Sequence, residues 1–139
     1  MTAGLVVEKV QVPGAAEPPG ATWSNCLVIG DEIVISGQHA RGGDGLPIGG
    51  DDLYLQARAS FAKIADLLAA AGGGMHNVYK VVIYVTDADN KAAVNRARAE
   101  VFGPTFPCST LVGVGGFAFP GLLIEIDAFA NRRVDLRHA

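Results

Sequence analysis

Six runs of alternating, β-branched or aromatic residues predict strands at 5–12, 23–29, 33–36, 78–85, 106–114 and 122–130. Two stretches carry the helical period instead. In the first, Leu53, Ala57, Phe61, Ile64, Leu68 and Ala71 recur at spacings of three and four and form one apolar stripe, with Arg58, Lys63 and Asp66 off it. Asp51 and Asp52 stand where a helix N-terminus favours negative charge, and Gly72-Gly73-Gly74 stops the helix. The second helix spans 91–102, turns Val94, Ala97 and Val101 inward and ends at Gly103-Pro104.

The segments between are turn chemistry. Residues 13–20 hold three prolines and two glycines, and residues 37–50 hold six glycines and one proline. Asp31-Glu32 is placed to close a short hairpin between the second and third strands, and 87–90 is a polar turn. The order is β-β-β-α-β-α-β-β in a single domain covering 1–139, with 131–139 read as a polar tail that frays. Two helices on one face of one sheet make an α+β layer pair. The last two strands bracket the Gly/Pro-rich stretch 115–121 and read as neighbours joined by a long turn.

The last strand carries the most informative pattern. Leu122, Ile124, Ile126, Ala128 and Ala130 share one face, which is core. Leu123, Glu125, Asp127 and Phe129 share the other, which looks at water, a partner subunit or a ligand. A carboxylate among hydrophobes is costly unless it is hydrogen-bonded or protonated, so Glu125 is the first functional candidate. A solvated outer sheet face is the competing reading for Glu125, and a solvated or interface position is the reading for Asp127.

Composition narrows the class. Half the residues are hydrophobic and 18% are charged, a sparse polar skin for a small chain, which self-association accounts for. The net charge of −3 argues against a nucleic-acid surface. Met1-Thr2-Ala3-Gly4 has no basic, apolar leader pattern, and no run approaches the roughly 20 apolar residues of a membrane span. Cys26 and Cys108 lack metal or redox spacing, so no metal or cofactor is expected and a reduced cytoplasmic setting is the default.

Several short strings, in order, resemble the RidA family, also called YjgF/YER057c/UK114. They are Ile35-Ser36-Gly37-Gln38, Gln56-Ala57-Arg58, Leu68-Ala69-Ala70-Ala71-Gly72, Tyr84-Val85-Thr86-Asp87, Val94-Asn95, Phe106-Pro107 and Ile124-Glu125-Ile126. The resemblance implies a chorismate-mutase-like α+β fold and a barrel-like homotrimer with clefts between subunits. It also implies hydrolysis of reactive 2-enamines and 2-imines to 2-keto acids and ammonia. By that resemblance Glu125 activates water, while Ser36 and Asn95 line the cleft. Trp23 stands where the family has a tyrosine, Ser109 where it has the arginine that grips a substrate carboxylate, and Leu111 where many members have a cysteine. A serine hydroxyl cannot reproduce the two-pronged contact of a guanidinium, so the resemblance points to a divergent branch with an altered small-molecule substrate.

The remaining candidates have two readings each. Ser109 and its neighbour Thr110 can hydrogen-bond a neutral substrate atom or satisfy backbone at a strand end. Cys108 is either a nucleophile or a buried small hydrophobe, the latter favoured because no base adjoins it. His39 is either an acid–base partner of Glu125 or a mobile surface residue. Arg41, on the same loop, is the sequence's candidate to replace the missing guanidinium. Trp23 is a ligand wall or core packing. The function expected is a hydrolase or deaminase acting on a small imine, enamine or related C–N bond. A non-catalytic trimer that binds a small ligand or protein is the alternative, and a ribonuclease is disfavoured by the acidic balance.

Overall fold

The computed structural model describes residues 4–139. Met1–Ala3, on which the expectation about a leader partly rests, lie outside the described residues. The elements are β1 (Val7–Lys9), β2 (Cys26–Ile29), β3 (Glu32–His39), α1 (Leu53–Ala70), β4 (Val78–Val85), α2 (Lys91–Val101), β5 (Cys108–Gly113) and β6 (Ile124–Asn131), with 3-10 turns at Pro13–Ala15, Met75–Asn77 and Leu136–His138. They build one six-stranded sheet in the order β1-β2-β3-β6-β4-β5, with both helices on the same side.

The helix stripe forms as the periodicity requires: Leu53, Ala57, Phe61, Ile64, Leu68 and Ala71 are all buried, joined by Gln56, Ser60 and Leu67. Asp52 caps α1 by accepting from the Leu55 N–H at 2.9 Å. The core lies between this stripe and the inward residues of the sheet, including Ile33, Ile35, Val81, Ile83, Ile124, Ile126 and Ala128. Phe61 meets Phe102 edge to face, which fastens α1 to the end of α2.

Three strand readings change. β5 does not neighbour β6: it pairs in parallel with β4, from Lys80↔Cys108 to Val85↔Gly113, and β4 alone separates it from β6. The helix between β4 and β5 is the reason, because parallel neighbours need a crossover and α2 supplies it. β1 and β2 are shorter than their apolar runs, and residues 23–25 stand outside β2. β3 is longer, running through Ser36-Gly37-Gln38 to His39 by way of a bulge. Nor is 131–139 a frayed tail. Asn77 Nδ2 donates to the Val134 carbonyl at 2.7 Å, Arg132 Nη2 donates to the Gly30 carbonyl at 2.6 Å, and Asp135 caps the last turn.

Gln56 ties two loops to the functional end of the sheet. Its side chain is fully buried; Nε2 donates to the Gly50 and Gly121 carbonyls at 2.6 and 2.9 Å, and Oε1 accepts from the Leu123 N–H at 2.9 Å. Leu123 is two residues before Glu125, so this one amide fixes where β6 begins.

Candidate functional site

Glu125 and its neighbours occupy the sheet face that the helices leave open. On that face Glu125 is paired across the ladder with His39 of β3 and Tyr84 of β4. The β3 bulge decides what surrounds it. Ile35 pairs with Ala128 and Gln38 with Ile126, so Ser36 and Gly37 together oppose Asp127. Gly37 takes φ +55°, which favours glycine, and a Cβ there would run into Glu125 Oε1. The carboxyl group of Glu125 therefore lies over bare backbone.

Asp127 is held by two hydrogen bonds and is partly buried, so it is not simply a solvated residue. It accepts the Gly37 N–H at 2.7 Å on Oδ1 and the Tyr84 hydroxyl at 3.1 Å on Oδ2. Burial, and after it the negative charge of Asp127, pushes the Glu125 carboxyl above the usual carboxylate range. Burial and the same two carboxylates raise the Tyr84 phenol, so it stays a hydrogen-bond donor. A half-buried carboxyl group whose pKa is raised is a stronger base than an ordinary carboxylate and can accept a proton from water.

Ser36 stands beside this cluster, in the bulge. Ser36 Oγ donates to the Ser24 carbonyl at 3.0 Å, which brings the 23–25 segment alongside the bulge. Trp23 is half exposed and donates its indole N–H to Asn25 Oδ1 at 3.1 Å, so it is not core packing. His39 is not a mobile surface residue. It lies edge-on to Phe119 at 5.6 Å, its Nδ1 accepts the Arg41 N–H, and burial with the Lys63 and Arg41 charges depresses it to about 4, leaving it neutral. Arg41 stacks on the Phe119 ring at 3.9 Å, and Lys63 Nζ donates to its carbonyl at 2.7 Å.

Ser109, Leu111 and Asn95 are elsewhere. In the parallel ladder Ser109 pairs with Val81 and Leu111 with Ile83, both core residues, so these two point to the helix side. Asn95 and Ser109 line a groove of about 410 Å³ between α2 and β5, together with Arg98, Phe102, Phe106 and Pro107. Ser109 is bonded not to backbone but to Arg98, whose Nη1 donates to Oγ at 2.7 Å. Cys108 is exposed, which corrects its reading as a buried hydrophobe; Cys26 is the buried thiol, pushed up to about 11 by that burial. A further hollow between the starts of the two helices holds Arg96, which is already engaged by Tyr54 and Glu100 and touches none of these residues.

The sequence candidates thus separate: Glu125, Ser36 and His39 belong to the open-face strands, Ser109 and Leu111 to the helix side of β5 with Asn95 on α2 beside them, and Trp23 stands outside the sheet. Sequence reasoning missed Gly37, Tyr84 and Arg98. The signal for Arg98 was present, since Asn95 and Arg98 are three apart on a helix and share a face. No helix among the described residues is long and apolar enough to cross a membrane.

The two-helix, six-stranded α+β sheet is the fold of a solved RidA protein. The endoribonuclease L-PSP family model matches residues 14–132, and the chain belongs to that family, the RidA or YjgF/YER057c/UK114 proteins. A solved protein of unknown function from Pseudomonas aeruginosa is 41% identical, with TM-score 0.86, over 95% of this chain and 96% of that one. A RutC family protein from Pyrococcus horikoshii is 31% identical over 84% of this chain and 92% of its own length. A 2-iminobutanoate/2-iminopropanoate deaminase from Capra hircus is 27% identical over 90% of this chain and 88% of its own.

Proposed function

We propose that this chain hydrolyses the C–N bond of a small imine or enamine, with Glu125 as the base that activates water. The observation that carries this reading is the Glu125 carboxyl group, raised by burial and by Asp127 and seated over Gly37 on an open face. The deaminase name of family relatives supports the choice of reaction. In the proposed step Glu125 takes a proton from water as its oxygen adds to the imine carbon. Glu125 returns that proton to nitrogen, giving the neutral carbinolamine; it then passes the carbinol O–H proton to nitrogen as the C–N bond breaks, so that ammonia leaves, the carbonyl of the ketone forms and the carboxylate is restored. Tyr84 and Gly37 hold Asp127, and Asp127 keeps Glu125 basic.

We propose further that the working form is a homotrimer in which the groove at β5 of one copy faces the Glu125 pocket of the next. β5 is an edge strand, so its groove lies where another copy can approach. The apolar open face and the 18% charge content favour such burial. The cytoplasm is the proposed setting; two yeast relatives are named as mitochondrial proteins.

The test is ammonia release from 2-iminobutanoate and from a neutral enamide, each generated in place. Wild type should turn over at least one of them, and Glu125→Gln should abolish turnover with the oligomer intact by light scattering. Full activity in Glu125→Gln removes Glu125 as the base. Binding without turnover in wild type favours a non-catalytic trimer instead.

A further inference from the structure

We infer that His39, Arg41 and Lys63 form a binding site for a dianionic phosphate group at the end of β3. The three side chains come from separate segments: His39 closes the strand, Arg41 follows it in the loop, and Lys63 stands on α1. Phe119, from the loop before β6, gathers two of them. It lies edge-on to the His39 ring at 5.6 Å and under the Arg41 guanidinium at 3.9 Å. Lys63 Nζ donates to the Arg41 carbonyl at 2.7 Å, which brings a second cation to the same loop.

The charges here are unbalanced. Among the described residues neither Arg41 nor Lys63 forms a salt bridge, whereas Arg58, Arg96, Arg132 and Arg137 each have one. Asp44, the acid of the same loop, spends Oδ1 on the Leu46 N–H. Burial, and after it the Arg41 charge, lowers the Lys63 ammonium; burial with both cations holds His39 at about 4. Glu125 faces His39 across the ladder, yet its carboxyl is shifted by burial and Asp127 and by neither cation. The excess positive charge therefore acts on His39 and not on the base. Like charges held together in a half-buried place are a cost that a bound anion relieves.

The free donors fit a phosphate better than a carboxylate. His39 Nδ1 accepts the Arg41 N–H, so the neutral ring carries its proton on Nε2, which has no partner among the described residues. Lys63 spends one of its three N–H groups on the carbonyl, and the Arg41 guanidinium makes no hydrogen bond among the described residues. A carboxylate is planar, singly charged and satisfied by one guanidinium fork. A phosphate monoester offers three outer oxygens and close to two negative charges, which match donors on three side chains and two fixed cations.

This site goes beyond the hydrolase reading, and its test needs no turnover, so its failure leaves that reading untouched. Calorimetric titrations in chloride-free buffer compare inorganic phosphate, phenyl phosphate and benzoate on wild type, Arg41→Ala and Lys63→Gln. The glutamine keeps a donor for the Arg41 carbonyl and removes only the charge, and circular dichroism checks that each variant is folded. Each change should weaken the phosphates by roughly 10- to 100-fold, the range for losing a charge-assisted bond. Benzoate should bind wild type far more weakly than phenyl phosphate. Phenyl phosphate binding more tightly than inorganic phosphate assigns the group to an ester, and equal affinity assigns it to free phosphate. The second readout is the NMR titration of His39, its signal assigned by its loss in His39→Gln. Saturating phenyl phosphate should bring the His39 midpoint up from about 4 toward the ordinary histidine value of about 6.5, because the dianion offsets both cations. No phosphate binding by wild type, unchanged affinity in both variants, or an unmoved His39 midpoint overturns the assignment. Benzoate binding as tightly as phenyl phosphate overturns it too, as does binding that is lost in Arg98→Ala and kept in Arg41→Ala.

Discussion

Gln56→Glu keeps the shape of a fully buried side chain and changes only its hydrogen-bonding sense. In wild type the amide gives two bonds, to the Gly50 and Gly121 carbonyls, and receives one from Leu123 N–H. A protonated glutamic acid can still accept from Leu123 and give one bond, so below the usual Glu pKa of about 4.3 the variant loses a single bond, about 1 kcal/mol. An ionised carboxylate would face two carbonyl oxygens in a dry site, so the folded variant keeps its proton. The folded pKa is therefore raised above the unfolded value. Stability from that proton is whole below the unfolded pKa and is lost as pH rises, at about 1.4 kcal/mol per unit until the folded pKa is passed. At pH 7 the deficit reaches up to about 4–5 kcal/mol. For 139 residues the unfolding entropy near the midpoint is about 0.29 kcal/mol/K, so each pH unit should cost the variant about 5 °C of Tm relative to wild type. Thermal melts by circular dichroism from pH 4 to 8, at one protein concentration, measure it. Melting curves that stay parallel across pH would refute the buried three-bond role of Gln56.

Three further outcomes follow from the open-face cluster. Gly37→Ala should cost about 1–2 kcal/mol for a left-handed alanine, a few degrees in Tm. Because its methyl displaces the Glu125 carboxyl group, imine turnover should fall far more, about 100-fold; a loss no larger than the stability change would show that Glu125 is not positioned by the bulge. The acid limb of kcat/KM should lie above the ordinary glutamate range, and Asp127→Asn should move it down by removing the like charge, so an unmoved limb speaks against the coupling. Glu125→Gln should match wild-type stability below the usual Glu pKa and exceed it as pH rises, because the raised folded pKa makes ionisation of Glu125 a cost to the fold; a variant less stable at pH 8 than at pH 4, relative to wild type, would contradict that sign.

How much of this was legible in the sequence differs element by element. β4 begins and ends where the β-branched run does, and the α1 stripe and the two faces of β6 follow from periods of 3.6 and 2. The β5–β6 adjacency failed because a glycine-rich gap signals a turn, not which strands it joins. The helix between β4 and β5 held the contrary information. Cys108 was misjudged because its exposure depends on β5 being an edge strand, a property of the whole sheet. The bulge was invisible for another reason: Ser36-Gly37-Gln38 reads as the start of a glycine-rich loop, and only the pairing with β6 shows that Gly37 is inside a strand. Arg41, the candidate that the sequence offered for a replacement cation, stacks its guanidinium on Phe119, a ring contact between two loops that local patterns do not reveal.

The setting of Glu125, shifted by burial and by Asp127 with no guanidinium among the causes, has a chemical consequence for the proposed reaction. A guanidinium beside Glu125 in the free protein would favour its ionised form and draw its pKa down, weakening it as a base. Asp127 does the opposite and keeps it raised. A ligand carboxylate, however, is repelled by the Glu125–Asp127 pair and needs a cation. A base that must stay raised is therefore better served by an open face that carries no guanidinium against it. On this view an arginine placed on the open face itself, at Ser36 for example, would lower the acid limb and the rate together even if it bound the substrate more tightly.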